Sequence, residues 1–194
     1  MSPLLTGVFA SGKSGHLSAP IVGAYDALGT VIVPSGGLAS VTFAGIPTGY
    51  THLQIRGIAR NTTTSGPGAE QNLRMQFNGD TASNYSEHYI VGDGSSATSG
   101  NELTTNIMIA YGVIPMSSET ANTYGVFVTD ILDYANIYKY KTARSLVGKD
   151  TNGAGYIFLS SGSWRNANAI TSLVLYPQGG SFQQYSSFAL YGVK

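Results

Sequence analysis

Cysteine is absent from the 194-residue chain. That excludes disulfides and thiolate metal sites, and with them any reading of the redox compartment. Charge is scarce too. Lys plus Arg total 10 and Asp plus Glu total 10, which is 10% of the residues, against about 25% in an average soluble domain. The formal net charge is zero, so no global field steers the chain to nucleic acid or to an anionic membrane. A neutral protein also lacks one common protection against self-association. No apolar run approaches the ~20 residues of a membrane span. The N-terminus has no basic region followed by an apolar stretch, so classical secretion is not indicated. The 3.6-residue helical period is almost missing as well.

What is present is a chain with 42% hydrophobic residues, 25 Gly and 13 Tyr. Its length suits one domain, or one domain with an arm. With so little charge, the surface must be built from Ser, Thr, Asn, Gln, Gly and Tyr, and such surfaces suit strands and turns. Short alternating segments are separated by Gly, Pro, Asn, Asp and Ser clusters. ALGTVIV (27–33) reads as a strand, PSGG as a turn, and LASVTF (38–43) as its hairpin partner. THLQIRGIA (51–59) alternates cleanly, with Leu53 and Ile55 on one face and His52, Gln54 and Arg56 on the other. NLRMQF (72–77) alternates again, with Leu73, Met75 and Phe77 inward, and the Asn-Gly-Asp after it reads as a tight turn. Residues 61–70 read as an exposed loop and 92–101 as a mobile one, with 102–114 returning to strand. YKYKTARSLVG (138–148) alternates over a long run.

YGVFVTDIL (124–132) is apolar on both faces. A strand of that kind is buried on both sides, either in the core or at a subunit interface. Tyr124, Val126, Phe127 and Val128 are therefore the residues expected at an interface between copies. About ten short strands at this spacing predict an all-β sandwich or barrel. No exact internal repeat is visible, which argues against a propeller or β-helix.

Chemistry-bearing constellations are few. His16, His52 and His88 are far apart in sequence and form no ligand-spaced pair, so no metal site is expected. Asp150-Thr-Asn152-Gly153 resembles the opening of a calcium loop but lacks the later acidic ligands, and reads as a β-turn. Asp130 and Asp133 are the only close carboxylate pair in the sequence. A glycosidase needs two carboxylates facing each other across a cleft, which three-apart residues at a strand end do not provide. No nucleophile elbow or phosphate loop stands out, so neither catalytic residue nor cofactor is expected. In YKYKTAR, Tyr138 and Tyr140 share one strand face and Lys139 and Lys141 the other. That reads as an edge or outer strand in which Lys discourages sheet-to-sheet pairing. Tyrosine buries a large ring while its hydroxyl reaches water or a partner, and it stacks on sugar rings. Tyr85, Tyr89 and Tyr111 adjoin loops and are the expected contacts if the protein binds a glycan.

Four segments carry a resemblance: GYTHLQIRGIAR (49–60), FNGDTASNYS (77–86), VTDILDYANIYKYKTARSL (128–146) and the terminal YSSFALYGVK (185–194). They resemble a group of tailed-bacteriophage virion proteins, over most of the chain from about Ala27 onward. The opening TGVFASGKSGHL is similar to the short leader such proteins carry. The resemblance implies a non-enzymatic structural protein on the particle exterior, made in the host cytoplasm. It implies a jelly-roll-like antiparallel β-sandwich, often a homotrimer, and a place as capsid decoration or cement protein, head fibre, or tail-fibre or baseplate part. Residues 25–194 would be the sandwich and residues 1–24 an extended arm. Leu4, Leu5, Val8, Phe9, His16 and Leu17 of the arm would dock on the major capsid protein or another virion protein. Ordering such an arm costs entropy but wraps a large surface. The expected primary role is stabilising the head. The alternative is a tail-fibre or baseplate protein that recognises host surface carbohydrate. Neither involves nucleic acid or membrane.

Overall fold

The computed structural model of the chain describes residues 23–64 and 71–194, with backbone alone at Gln71, Met108, Tyr111 and Val113. Those residues form twelve strands and no helix. In chain order they are β1 (Tyr25–Ile32), β2 (Val41–Ala44), β3 (His52–Ala59), β4 (Gln71–Phe77), β5 (Tyr85–Gly92) and β6 (Ala97–Thr104). After them come β7 (Ile107–Ile114), β8 (Gly125–Leu132), β9 (Lys141–Asp150), β10 (Gly155–Trp164), β11 (Ser172–Pro177) and β12 (Ser187–Val193). They make two antiparallel sheets packed as a sandwich. The larger has eight strands in the order β1-β12-β3-β8-β9-β10-β5-β6, the smaller four in the order β2-β11-β4-β7.

The core lies between the sheets and is filled by every second residue of the central strands. Leu53, Ile55, Phe127, Ile131, Phe158 and Leu190 come from the large sheet; Leu73, Met75, Phe77, Ile109 and Leu175 come from the small one. Trp164 packs on Phe77 with ring centroids 5.5 Å apart, and Phe182 packs on Phe188 at 4.6 Å. The Asn78-Gly79 turn after β4 has both residues at positive φ (51° and 68°), as the Asn-Gly signal predicts.

Three readings of the sequence are corrected by the strand pairing. First, ALGTVIV and LASVTF do not form a hairpin. β1 pairs with β12 in the large sheet, whereas β2 pairs with β11 in the small one. Pro34–Gly37 therefore carries the chain from one layer to the other. Second, residues 97–101 are not loop but the first part of β6, paired with β5 from Gly92–Ala97 to Tyr85–Thr104. Third, 102–114 is two strands in different sheets, broken at 105–106. The expected arm, with Leu4, Leu5, Val8, Phe9, His16 and Leu17, lies outside the described residues.

Close packing leaves no room for side chains at Gly57 and Gly162. A Cβ at Gly57 would fall on the Phe127 ring, and one at Gly162 on Ile107. Gly57→Ala is expected to cost about 1–3 kcal/mol through overpacking. At roughly 2–4 °C per kcal/mol for a chain of this size, a thermal melt followed by Trp164 fluorescence will show the drop.

Candidate interaction surface

In a sheet covered on one side, alternation sends every second side chain to the open side. On the large sheet that open side carries an aliphatic band. The pairing registers assign its rows. One row runs Arg56–Val128–Leu146–Leu159–Ile90 across β3, β8, β9, β10 and β5. The next runs Ile58–Val126–Gly148–Ile157–Gly92 across the same strands. All the aliphatic members are exposed, Ile157 at 67% and Leu146 at 58%. Farther along β1, Ile32 is exposed on the same side of the sheet.

Relief within the band comes from what flanks its ridge. Gly148 and Gly92 interrupt the second row, and a groove of about 710 Å³ opens there. Val126, Ile157, Tyr124 and Tyr156 line it, and the Asp93–Gly94 and Gly153–Gly155 turns close its end. On the other flank of Val126 and Val128, a furrow of about 270 Å³ runs between Thr30, Arg56, Ile58, Ser187 and Ala189.

A polar row borders the band: Gln54–Asp130–Arg144–Ser161–His88. Gln54 Nε2 donates to Asp130 Oδ1 at 2.8 Å, and Arg144 pairs with Asp130 Oδ2 at 3.0 Å. Arg56 donates to Gln54 Oε1 at 2.7 Å, and its guanidinium lies 5.2 Å from the ring centroids of both Tyr25 and Tyr191. The acid and base of this rim neutralise each other within one copy.

The residues expected to meet a partner divide between the two sides of β8. Val126 and Val128 are exposed on the open face. Tyr124 lines the groove while its hydroxyl donates to the Gln184 carbonyl at 2.9 Å. Phe127 is a correction. It points inward, is 4% exposed and packs on Phe188 at 6.1 Å, so its ring belongs to the core. Strand 124–132 is thus core on one face and open apolar surface on the other.

The three tyrosines expected to touch glycan are not brought together on the surface. Tyr85 is fully buried. Its hydroxyl accepts the Phe77 N–H at 3.1 Å and donates to the Asp80 carbonyl at 3.0 Å, and burial pushes its phenol up to about 12. Tyr89 is half-buried on the core side of β5 against Phe158, its hydroxyl over Gly100. The side chain of Tyr111 is outside the described set. Adjacency to loops in sequence misled because alternation, not distance from a loop, decides which side a strand residue faces.

Lys141 is a further correction to the outer-strand reading of YKYKTAR. β9 begins at Lys141 and lies between β8 and β10, in the middle of the sheet. Tyr138 and Tyr140 precede it and are exposed. Lys141 itself is fully buried. Its Nζ donates to the carbonyls of Asn136, Lys139 and Ala167, and burial lowers its pKa. The Asp150–Gly153 segment is the β9–β10 turn, with Asp150 accepting the Asn152 N–H at 2.8 Å. Asp133 pairs with Lys139 rather than facing Asp130 across a cleft. Among the described residues no group of three potential metal ligands converges.

Tyr85 belongs to a cluster that offers a direct test of the core. Asp80 Oδ2 accepts from Trp164 Nε1 at 2.7 Å and from Asn84 Nδ2 at 2.9 Å, and Oδ1 accepts the Ala82 N–H at 2.9 Å. The Asn84 and Trp164 donors hold its carboxyl below the ordinary value of 3.8. A depressed carboxylate contributes stability that is fully present above its unfolded pKa and is lost as pH falls through the folded one. Asp80→Ala is therefore expected to lower Tm at pH 7, and the gap from the unaltered chain should narrow below pH 4. Melts at a series of pH values, read through the single Trp164, measure it.

Comparison with protein-family models, with curated proteins and with solved structures finds no match to this chain.

Proposed function

We propose that this protein is a non-enzymatic structural component of a tailed-phage particle, a capsid decoration or cement protein that docks through residues 1–24 and stabilises the head. The observation that carries the reading is the aliphatic band on the open face of the large sheet. Seven branched side chains from five adjacent strands stand in register there: Ile58, Val126, Val128, Leu146, Ile157, Leu159 and Ile90. A contiguous apolar patch of that extent marks a surface that works covered, inside an assembly. The neutral, weakly charged composition suits a passive building block held among other subunits. The resemblance of residues 49–60, 77–86, 128–146 and 185–194 to phage virion proteins supplies the kind of assembly.

A second reading rests on a different feature. The 710 Å³ groove presents Tyr124 beside the Asp93 and Asp150 turns. A ring beside hydrogen-bonding groups suits a sugar, and a tail-fibre or baseplate protein recognising host surface glycan would use them.

Immunogold electron microscopy of purified particles, with antibody raised against residues 27–194, separates the two. Label over the head faces is expected, and deletion of residues 1–24 should abolish it. Label at the tail end would transfer support to the glycan-binding reading. Unlabelled particles, in a preparation where a known surface protein labels well, would overturn both.

A further inference from the structure

The band and its flanking furrows point to a specific occupant. We infer that the open face of the eight-stranded sheet packs against the same face of a second copy of this chain. This inference rests on the reading of the protein as an assembly component and names the partner that covers it.

Extent comes first. With Ile32, the band leaves on the order of 700 Å² of aliphatic side chain open to solvent, close to the roughly 800 Å² that each partner contributes to a standard interface. Shape comes second. Val126 stands beside the Gly148 gap of the groove on one flank, and beyond Ile58 on the other flank the Ser187–Ala189 furrow opens. A surface with a ridge beside a furrow of its own is complementary to itself under a two-fold axis, because each copy's ridge enters the other's furrow. Sheets stack face to face at about 10 Å with interdigitating side chains in just this way. Charge comes third. The chain is neutral, and the acid and base of the rim, Asp130 and Arg144, are already paired within each copy. Two identical faces therefore meet with little net charge between them; Arg56, at the furrow, is held by Gln54 and lies over the Tyr25 and Tyr191 rings at the edge of the band. The centre of the face, from Val126 and Val128 to Leu159 and Ile90, offers a charged partner nothing to pair with, whereas an identical apolar face finds its match.

The test is analytical ultracentrifugation of the full chain over a concentration range from about 0.1 to 100 μM, centred on an ordinary μM affinity. A concentration-dependent dimer is expected. Leu146→Lys and Ile157→Lys should each weaken it by about thirtyfold or more, the loss typical of a central anchor, while Trp164 fluorescence and the thermal melt confirm that both variants fold. Because the chain has no cysteine, a single reporter thiol gives a readout independent of those variants. Val128→Cys should react slowly with a maleimide in concentrated protein and quickly on dilution. Thr42→Cys, exposed on β2 of the small sheet, should react at one rate throughout. A three-copy assembly would overturn the face-to-face packing, because a face that meets its own image is saturated by one partner. A chain monomeric at 100 μM, or a multimer indifferent to both Lys substitutions, would overturn the inference. In that case gold label on the particle would leave the virion reading standing, with another protein covering the face.

Discussion

Everything on the surface of this protein follows from one mismatch: eight strands on one side of the sandwich, four on the other. The small sheet covers the middle of one face of the large sheet, and nothing among the described residues covers the opposite face. Strand alternation is strict, so each inward core residue fixes an outward neighbour. Phe127 and Ile131 placed in the core put Val126, Val128 and Leu132 outside. Val147 and Phe158 likewise expose Leu146, Ile157 and Leu159. In an ordinary one-sided sheet those outward positions would be polar. Here they are aliphatic, on three neighbouring strands and in matching rows. The end of the large sheet shows the same mismatch in another form. β6 is exposed or half-buried throughout, and apart from Leu103 its residues are small or polar.

The few cations of the chain are partly spent indoors, which sharpens the contrast. Arg60 is 3% exposed and donates to the carbonyls of Thr120, Thr123 and Glu119 at 2.7–2.8 Å, holding the β7–β8 connection. Lys149 pairs with Glu119 at 2.9 Å, and Glu119 also accepts the Met116 N–H. Lys141 closes the other end of the sheet by collecting three carbonyls. Removing such a group strands several buried acceptors at once, which costs far more than the net worth of one hydrogen bond. One of these cations also shapes the open face. Arg60 holds Thr123 next to Tyr124, a wall of the groove, and on the inward side Lys149 lies 5.3 Å from the Tyr156 ring centroid.

Much of this was legible in the sequence wherever the signal is local. The alternation in 51–59 and 72–77 placed Leu53, Ile55, Leu73, Met75 and Phe77 on the core side, and Asn78-Gly79 marked its turn. Partner choice is not local. Nothing in ALGTVIV says that it pairs with the last strand rather than with the next one, because a ladder is built from backbone groups every sequence has. β6 escaped notice for the same reason: Ala97–Asn101 pairs through main chain while its side chains resemble a linker. Lys141 and Tyr85 were misplaced because side-chain type predicts burial only on average, and three well-placed carbonyls or a single backbone acceptor reverse the average. The two faces of β8 were both recognised as apolar, but which one met the core depended on register.

The edges of the large sheet explain why an uncovered apolar face need not lead to uncontrolled growth. Open strand edges are the usual route to fibres, and proteins blunt them with charge, bulges and short strands. β1, at one edge, carries a register shift between Ala27 and Gly29, and its end is tied down by the Lys194–Asp26 pair at 2.7 Å. β6, at the other, sets Glu102 on the side that faces the sandwich, 3.5 Å from Arg74 of the small sheet. A bulge twists a strand away from flat pairing, and an inward-facing charge resists burial under a new strand. Growth along the hydrogen-bonding direction is thus opposed at both ends, while the flat face remains free to pack. A contact made through a face that meets its own image is saturated after one copy. The same alternation that leaves the band uncovered thereby favours a closed assembly over an open one.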